Sequence, residues 1–270
     1  MSLLWRDEIS IYVGPRKIAL ARRGRGLRPR VESATSLVVP NGQVGDIRPT
    51  LARLADVLSE PAWRDGEARV VVSDLWARYA IVPWPNSRLD DVGRLSHARY
   101  VLDDAFGDGL AEWNVTLSDP TPGRAYLACA MPGTLQAMLT DTLAPAGLTL
   151  KSLKPQLIVA FSAWRRKLPA DDSWFVSMDE ESLTAVRVVR GCWDRVHMAR
   201  LSGDWTTELE RLRTFGRLTR AAGSSGRMFI DAPTWMRAGM PIVGEDFEWL
   251  EHSTDAGEVH ELALIQRAYA

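Results

Sequence analysis

Only two cysteines, Cys129 and Cys192, occur in 270 residues. A disulfide framework and a cysteine-rich zinc module are excluded, and a reducing cytoplasm is the expected location. The four histidines, His97, His197, His252 and His260, lie far apart without ligand spacing, so no metal is expected. No apolar run approaches the roughly 20 residues that a membrane span requires; Val70 to Val72 and Leu157 to Phe161 are both broken within a turn. Asp7 and Glu8 interrupt the beginning before a signal-peptide core could form. Phosphate loops, nucleophile elbows, dinucleotide fingerprints and His-Glu-x-x-His helices are also missing. With 33 Lys and Arg against 34 Asp and Glu, and 46% apolar residues, the chain reads as an ordinary soluble globular protein of about two domains.

Charge is present but segregated. Arg16, Lys17, Arg22, Arg23, Arg25, Arg28 and Arg30 fall in one stretch free of acids. They read either as a solvated hairpin rim or as a contact for phosphates on lipid headgroups or nucleic acid. No aromatic interleaves with them, so base stacking has no support and nucleic acid is not expected as a partner. From Glu245 to Glu261 the chain carries seven acids and no Lys or Arg, a tail that either pairs with the basic stretch or faces solvent. The adjacent aspartates at 90/91, 103/104 and 171/172 read as caps or solvated residues, and Cys129, inside an apolar strand, as an inert thiol.

Apolar periodicity organises the rest. Ile9, Ile11 and Val13, then Ile18 and Leu20, alternate on each side of Gly14-Pro15-Arg16, which predicts a β-hairpin. A strand follows at Ser36 to Val39, then a helix on Leu51, Leu54, Ala55 and Leu58 with Thr50 as its expected cap, then a buried strand at Val70 to Ser73. Strands at Arg78 to Val82, Trp113 to Leu117 and Ala125 to Ala130 and helices through Leu95 and Leu139 predict an inserted βαββα segment. A short strand at Leu148 to Leu150 and a helix from Pro155 come next. The opening order then returns, with strands at 174–178, 183–189 and 193–197, a helix through Leu209 and Leu212, and a strand at Met228 to Ile230. The expectation is an α/β chain of two like halves, 1–75 and 155–270, flanking an insert at 76–154.

Two stretches then carry a family resemblance: Arg124 to Leu135, and Leu143 to Phe161 with its Ala146-Gly147-Leu148 turn. Together with Ser73-Asp74 and Pro83-Trp84-Pro85, they resemble the PilM family of type IV pilus assembly and its relatives, the GspL cytoplasmic domain of type II secretion and the MshI proteins. The resemblance implies an actin-like fold with duplicated halves and an inserted βαββα subdomain. The second nucleotide-closing subdomain is expected to be missing, because Gly223 to Gly226 leaves no room for it. Where the family's intact ATP sites place an Asp and small hydroxyl residues, this chain has Tyr12, Gly14, Pro15 and Lys17; at the second hairpin Ser177, Met178 and Asp179-Glu180-Glu181 stand in place of Asp-x-Gly. Pro15 lacks an N–H for a phosphate, and three clustered acids repel one.

These departures point to a scaffold without a cofactor rather than an ATPase, working in the cytoplasm beside the inner membrane. The alternatives are an ATPase with altered nucleotide contacts, Lys17 among them, and a nucleic-acid-binding protein using the arginine stretch. The resemblance implies as partners a PilN-like, GspL-like or GspM-like tail, or an assembly ATPase. It leaves a homodimer and an anionic membrane surface open. Its partner junction maps to Trp76, Arg78, Tyr79 and Trp84, with Tyr100 on the following helix. Aromatics and Arg are the residue types that concentrate binding energy.

Overall fold

A computed structural model describes residues 7–24, 30–40, 45–119, 121–169, 171–201, 203–219, 226–238, 246–251 and 260–267. Strands β1 (Glu8–Val13) and β2 (Lys17–Arg23) form the hairpin that the alternation predicts, and β3 (Val31–Val38) pairs with β2, longer at its start than expected. Helix α1 (Arg48–Leu58) buries Leu51, Leu54, Val57 and Leu58. Thr50 is not its cap. The helix begins at Arg48, with Pro49 in its first turn, three residues earlier than the cap reading allows, and the buried Thr50 hydroxyl instead donates to Gly14 O at 3.3 Å.

β4 (Gly66–Val72) runs parallel to β1. The insert follows as β5 (Arg78–Val82), α2 (Asp91–Phe106), β6 (Trp113–Leu117), β7 (Tyr126–Pro132) and α3 (Gly133–Leu143), the βαββα order read from the sequence. Its sheet has the order β5-β7-β6. Gly93, a weak helix former, is used well in α2, because its N–H caps on Asp90 Oδ1 at 2.8 Å. The strand after it, β8 (Leu148–Pro155), is not part of the insert. It pairs in parallel with β4 and completes the first sheet, so position 154, the expected end of the insert, falls inside a strand of the first half. Alternation over three residues could not reveal which sheet the strand would join.

After α4 (Gln156–Trp164), the second half repeats the first. β9 (Asp172–Met178), β10 (Ser182–Val189) and β11 (Cys192–Arg200) form a meander; α5 (Trp205–Thr219), β12 (Arg227–Asp231), α6 (Thr234–Ala238) and β13 (Phe247–Trp249) follow. The first sheet reads β3-β2-β1-β4-β8 and the second β11-β10-β9-β12-β13, the same order by position in each half. Among the described residues no element lies between α5 and β12.

The C-terminal stretch is part of the fold rather than a tail, and of its two expected outcomes Glu261 takes the pairing one, with Lys17 of the basic stretch. Phe247–Trp249 is the fifth strand of the second sheet, and α7 (His260–Arg267) returns to pack on β1, β2 and β3 of the first half. Its Leu262, Leu264 and Ile265 are buried, and so is Glu261. In the reverse direction α4, a helix of the first half, packs against β9. α7 crosses to the first sheet, and α4 lies between β4 and β8 of the first sheet and β9 of the second, so the two helices join the halves. Period-two alternation records this in β9: Trp174, Val176 and Met178 enter a core with α5, while Phe175 faces the large core shared with the first half, its ring 5.6 Å from that of Phe161 on α4. β1 from Ile9 onward and β4 from Val70 to Val72 are buried on both faces, as inner strands are.

Candidate functional site

In open α/β sheets, ligand sites form beyond the carboxyl ends of the parallel strands. Here those ends are followed by polar residues: Ser73-Asp74 after β4, Gln156 after β8, Ser177 and Asp179 at the end of β9, and Asp231 at the end of β12. All six are buried, and they meet where the two hairpins face each other. The Tyr12 hydroxyl donates to Gln156 Oε1 at 2.9 Å and lies 3.4 Å from Asp179 Oδ2. Gln156 Nε2 donates to Ser177 Oγ at 3.2 Å and to Met178 O at 3.1 Å. Ser73 Oγ donates to Asp179 Oδ2, whose partner oxygen Oδ1 accepts from the Glu181 and Ser182 amides at 2.8 and 2.7 Å. One hydrogen-bonded network thus spans both halves in the place where an actin-like nucleotide site would open.

Burial sets the protonation of this network. It raises the Tyr12 hydroxyl well above its ordinary value, with Asp179 adding to the effect, so the tyrosine stays a donor. Burial also raises Asp179, against the opposing hydrogen bonds from Ser73, Glu181 and Ser182. Asp74 is pushed up to about 7 by burial, although the Tyr79 hydroxyl at 2.5 Å and the Leu157 amide at 3.0 and 3.1 Å favour its anion. Asp74 thereby anchors the first turn of α4. For Lys17, burial lowers the pKa, but Glu261 and Glu180 outweigh it and the net change is upward.

The hairpin tips are closed by charge. Arg16 pairs with Glu181, and Lys17 with Glu261 at 3.1 Å and Glu180 at 3.5 Å. The cavity left among Tyr12, Gly14, Lys17, Asp179, Glu180 and Glu261 measures about 10 Å³, barely the space of one water. Gly14 has lost its phosphate-side use as well: a Cβ there would stand 2.7 Å from the Tyr12 ring, so the glycine makes room for the tyrosine. A magnesium nucleotide does not fit these residues. Tyr12 offers no carboxylate to a cation, Pro15 no N–H to a phosphate, and Asp179 accepts from Ser73 Oγ and the Glu181 and Ser182 amides.

The five residues expected at a partner junction do not share one surface. Trp76 and Tyr79 are buried in the main core, and Trp84 is half-buried with its ring edge-on to Tyr126 in the insert. Only Arg78, half-buried, and Tyr100, 70% exposed on α2, are left to meet a partner freely. Trp76 and Tyr79 alternate with neighbours that close the core between insert and first half, and sequence alone could not separate that role from recognition. The basic stretch is similarly dispersed. Besides Arg16 and Lys17, Arg22 pairs with Asp7 and donates to Ala62 O and Arg64 O, and Arg23 donates to Gln266 O near the end of α7. Arg30 is exposed, and Arg25 and Arg28 lie outside the described residues. Sequence reasoning missed Gln156, whose signal was a polar residue directly after a strand, aligned with Ser73 and Asp179; it placed Glu261 only within an acidic stretch that could pair with the basic one.

No family model and no curated protein matches the chain at the level of sequence. Solved structures do. Over 97% of this chain and 98% of the other, it superposes on the PilM-PilN type IV pilus biogenesis complex with a TM-score of 0.68 at 14% identity. The cytoplasmic domain of EpsL, an inner membrane component of the type II secretion system of Vibrio cholerae, matches over 97% and 94% with a TM-score of 0.60 at 9% identity. A Bacteroides thetaiotaomicron protein with actin-like ATPase fold and unknown function matches over 98% and 99%, again with a TM-score of 0.60 at 9% identity. With its duplicated sheets, its insert and its returning helices, this chain therefore has the actin-like fold, in a form similar to PilM and the EpsL cytoplasmic domain.

Proposed function

We propose that the chain is a non-catalytic actin-like scaffold, a pseudo-ATPase, that docks a component of a type IV pilus or type II secretion assembly platform at the inner membrane. The observation that carries this reading is the filled inter-hairpin cleft, where the Tyr12–Gln156–Asp179–Ser73 network and three ion pairs stand in the place of phosphates and metal. A cleft stapled by the protein's own side chains holds the halves in one arrangement without nucleotide. That suits a permanent surface better than a cycling enzyme. The pairing of PilM with PilN, and the description of EpsL as an inner membrane component, make the tail of a membrane protein the favoured occupant, with an assembly ATPase second. No helix among the described residues is long and apolar enough to cross a membrane, so on this reading attachment comes through the partner. An anionic lipid face has less support, because Arg16, Lys17, Arg22 and Arg23 are all engaged within the chain.

Calorimetry with ATP and magnesium tests the reading: no saturable heat is expected at micromolar nucleotide. Magnesium-dependent binding with turnover would establish the ATPase reading instead. A partner assay completes it, with Tyr100→Ala expected to weaken capture of the purified tail of an inner-membrane protein encoded beside this chain. A hot-spot aromatic is worth about 1 to 2 kcal/mol.

A further inference from the structure

A second cavity, of about 190 Å³, lies where the insert meets the second half. The edge strands β5 and β11 pack beside each other there and bring Arg78 and Arg200 into one hollow. Its apolar walls are Leu75, Phe106, Leu183 and Met198. Arg78 Nη1 donates to Ala77 O at 2.7 Å and Leu75 O at 3.3 Å, and its guanidinium lies 5.7 Å from the Trp113 ring centroid. These contacts hold the group in place without neutralising it. Neither arginine has a carboxylate within ion-pairing distance among the described residues, and burial followed by the charge of Arg200 lowers the pKa of Arg78. Asp74 also lines the hollow, but Leu157 and Tyr79 occupy its oxygens, and a carboxyl titrating near neutrality is a poor counter-ion for two cations.

A half-buried guanidinium with a second, exposed one at the rim of the same hollow, neither paired with a carboxylate among the described residues, favours an anion that joins them. We propose that this hollow is a receptor for a carboxylate carried on an apolar body. Guanidinium forks match the carboxylate plane, and the four apolar side chains cover the carbons attached to it. The volume falls below the roughly 300 Å³ at which drug-sized sites begin. It suits an acidic side chain with its neighbouring methylenes, or a small free carboxylic acid. Doubly charged phosphate fits less well, since it brings no apolar surface to these walls and meets Asp74. The hollow adjoins the inter-hairpin cleft through Asp74 and Ser182, but the proposal does not depend on the scaffold reading.

Titration of the full chain at low ionic strength with three probes tests this: acetyl-Leu-Glu-Leu amide, its Gln counterpart, and butyrate. The Glu peptide is expected to bind saturably and about tenfold more tightly than the Gln peptide. Arg200→Ala, at an exposed position that does not endanger folding, is expected to weaken binding about tenfold, as is Arg78→Ala, while Arg124→Ala in the β6–β7 loop leaves it unchanged. Butyrate binding as well as the Glu peptide would assign the site to free carboxylic acids; peptide binding alone would assign it to a protein segment. Equal affinity for the Glu and Gln peptides, full affinity in folded Arg200→Ala, or no saturable binding of peptide or butyrate at millimolar concentration would overturn the proposal.

Discussion

The turn between β1 and β2 and the turn between β9 and β10 occupy equivalent places in sheets of the same order, yet one is basic and the other acidic. Gly14-Pro15-Arg16 with Lys17 faces Asp179-Glu180-Glu181, and the two are tied by ion pairs and by a network buried beneath them. A nucleotide site built on such a duplication needs both turns to present donors to the same phosphates. Here each turn presents its charge to the other. The frame is the same in both halves, and complementary charges at its two tips make its opening an internal contact.

The comparison breaks most readily if the halves prove to be separate cores. Phe175→Ala removes the second-half ring that lies in the shared core, and about 3 to 5 kcal/mol of stability is expected to go with it. Urea unfolding followed by tryptophan fluorescence should show one shifted transition. A loss below about 1 kcal/mol, or two transitions, would mean that the halves stand alone.

The next effect concerns acidity beneath the turns. Asp74, raised to about 7, and Asp179, also raised, hold more protons in the folded than in the unfolded chain, so their contribution is full below the ordinary carboxylate range and is lost as pH climbs towards 7. Asp74→Asn is expected to flatten stability between pH 4 and 7 by at most about 4 kcal/mol. Parallel pH curves for variant and parent would show that Asp74 is ionised throughout. Smaller is Tyr12→Phe, which leaves Gln156 Oε1 without its buried donor; a loss of about 1 to 3 kcal/mol is expected in chemical denaturation. An unchanged midpoint would place the hold on the cleft elsewhere. The smallest effect belongs to Arg16→Ala. Its pair with Glu181 is half in water, so at most about 1 kcal/mol should be lost, and less as salt rises.

Turn chemistry and alternation carried much of the fold into view. In the insert, β6 was legible because a strand with one exposed face repeats every two positions, whereas β7 was legible as a short apolar run buried on both faces. Residues 247–249 and 260–267 were not, since β13 is three residues long and α7 opens amid acids, which hid a helix that is buried because it crosses to the other half. At the site, Tyr12 and Asp179 were recognisable as departures from a nucleotide pattern, but reading Asp179-Glu180-Glu181 as bare repulsion omitted the cations that face it.

By itself, the sequence determined the local elements and the repeated order of hairpin, strand, helix and strand, all of which rest on neighbours a few residues apart. Only the tertiary structure decided that β8 joins the first sheet, that α7 crosses to the first half while α4 bridges the two, and that Trp76 and Tyr79 are core. It also decided that the cleft is closed by partners far apart in the chain: Tyr12 and Gln156 are 144 positions apart, Ser73 and Asp179 106, and Lys17 and Glu261 244. A side chain's local pattern records that it is polar, whereas the partner that satisfies it is chosen by how two sheets and two returning helices pack.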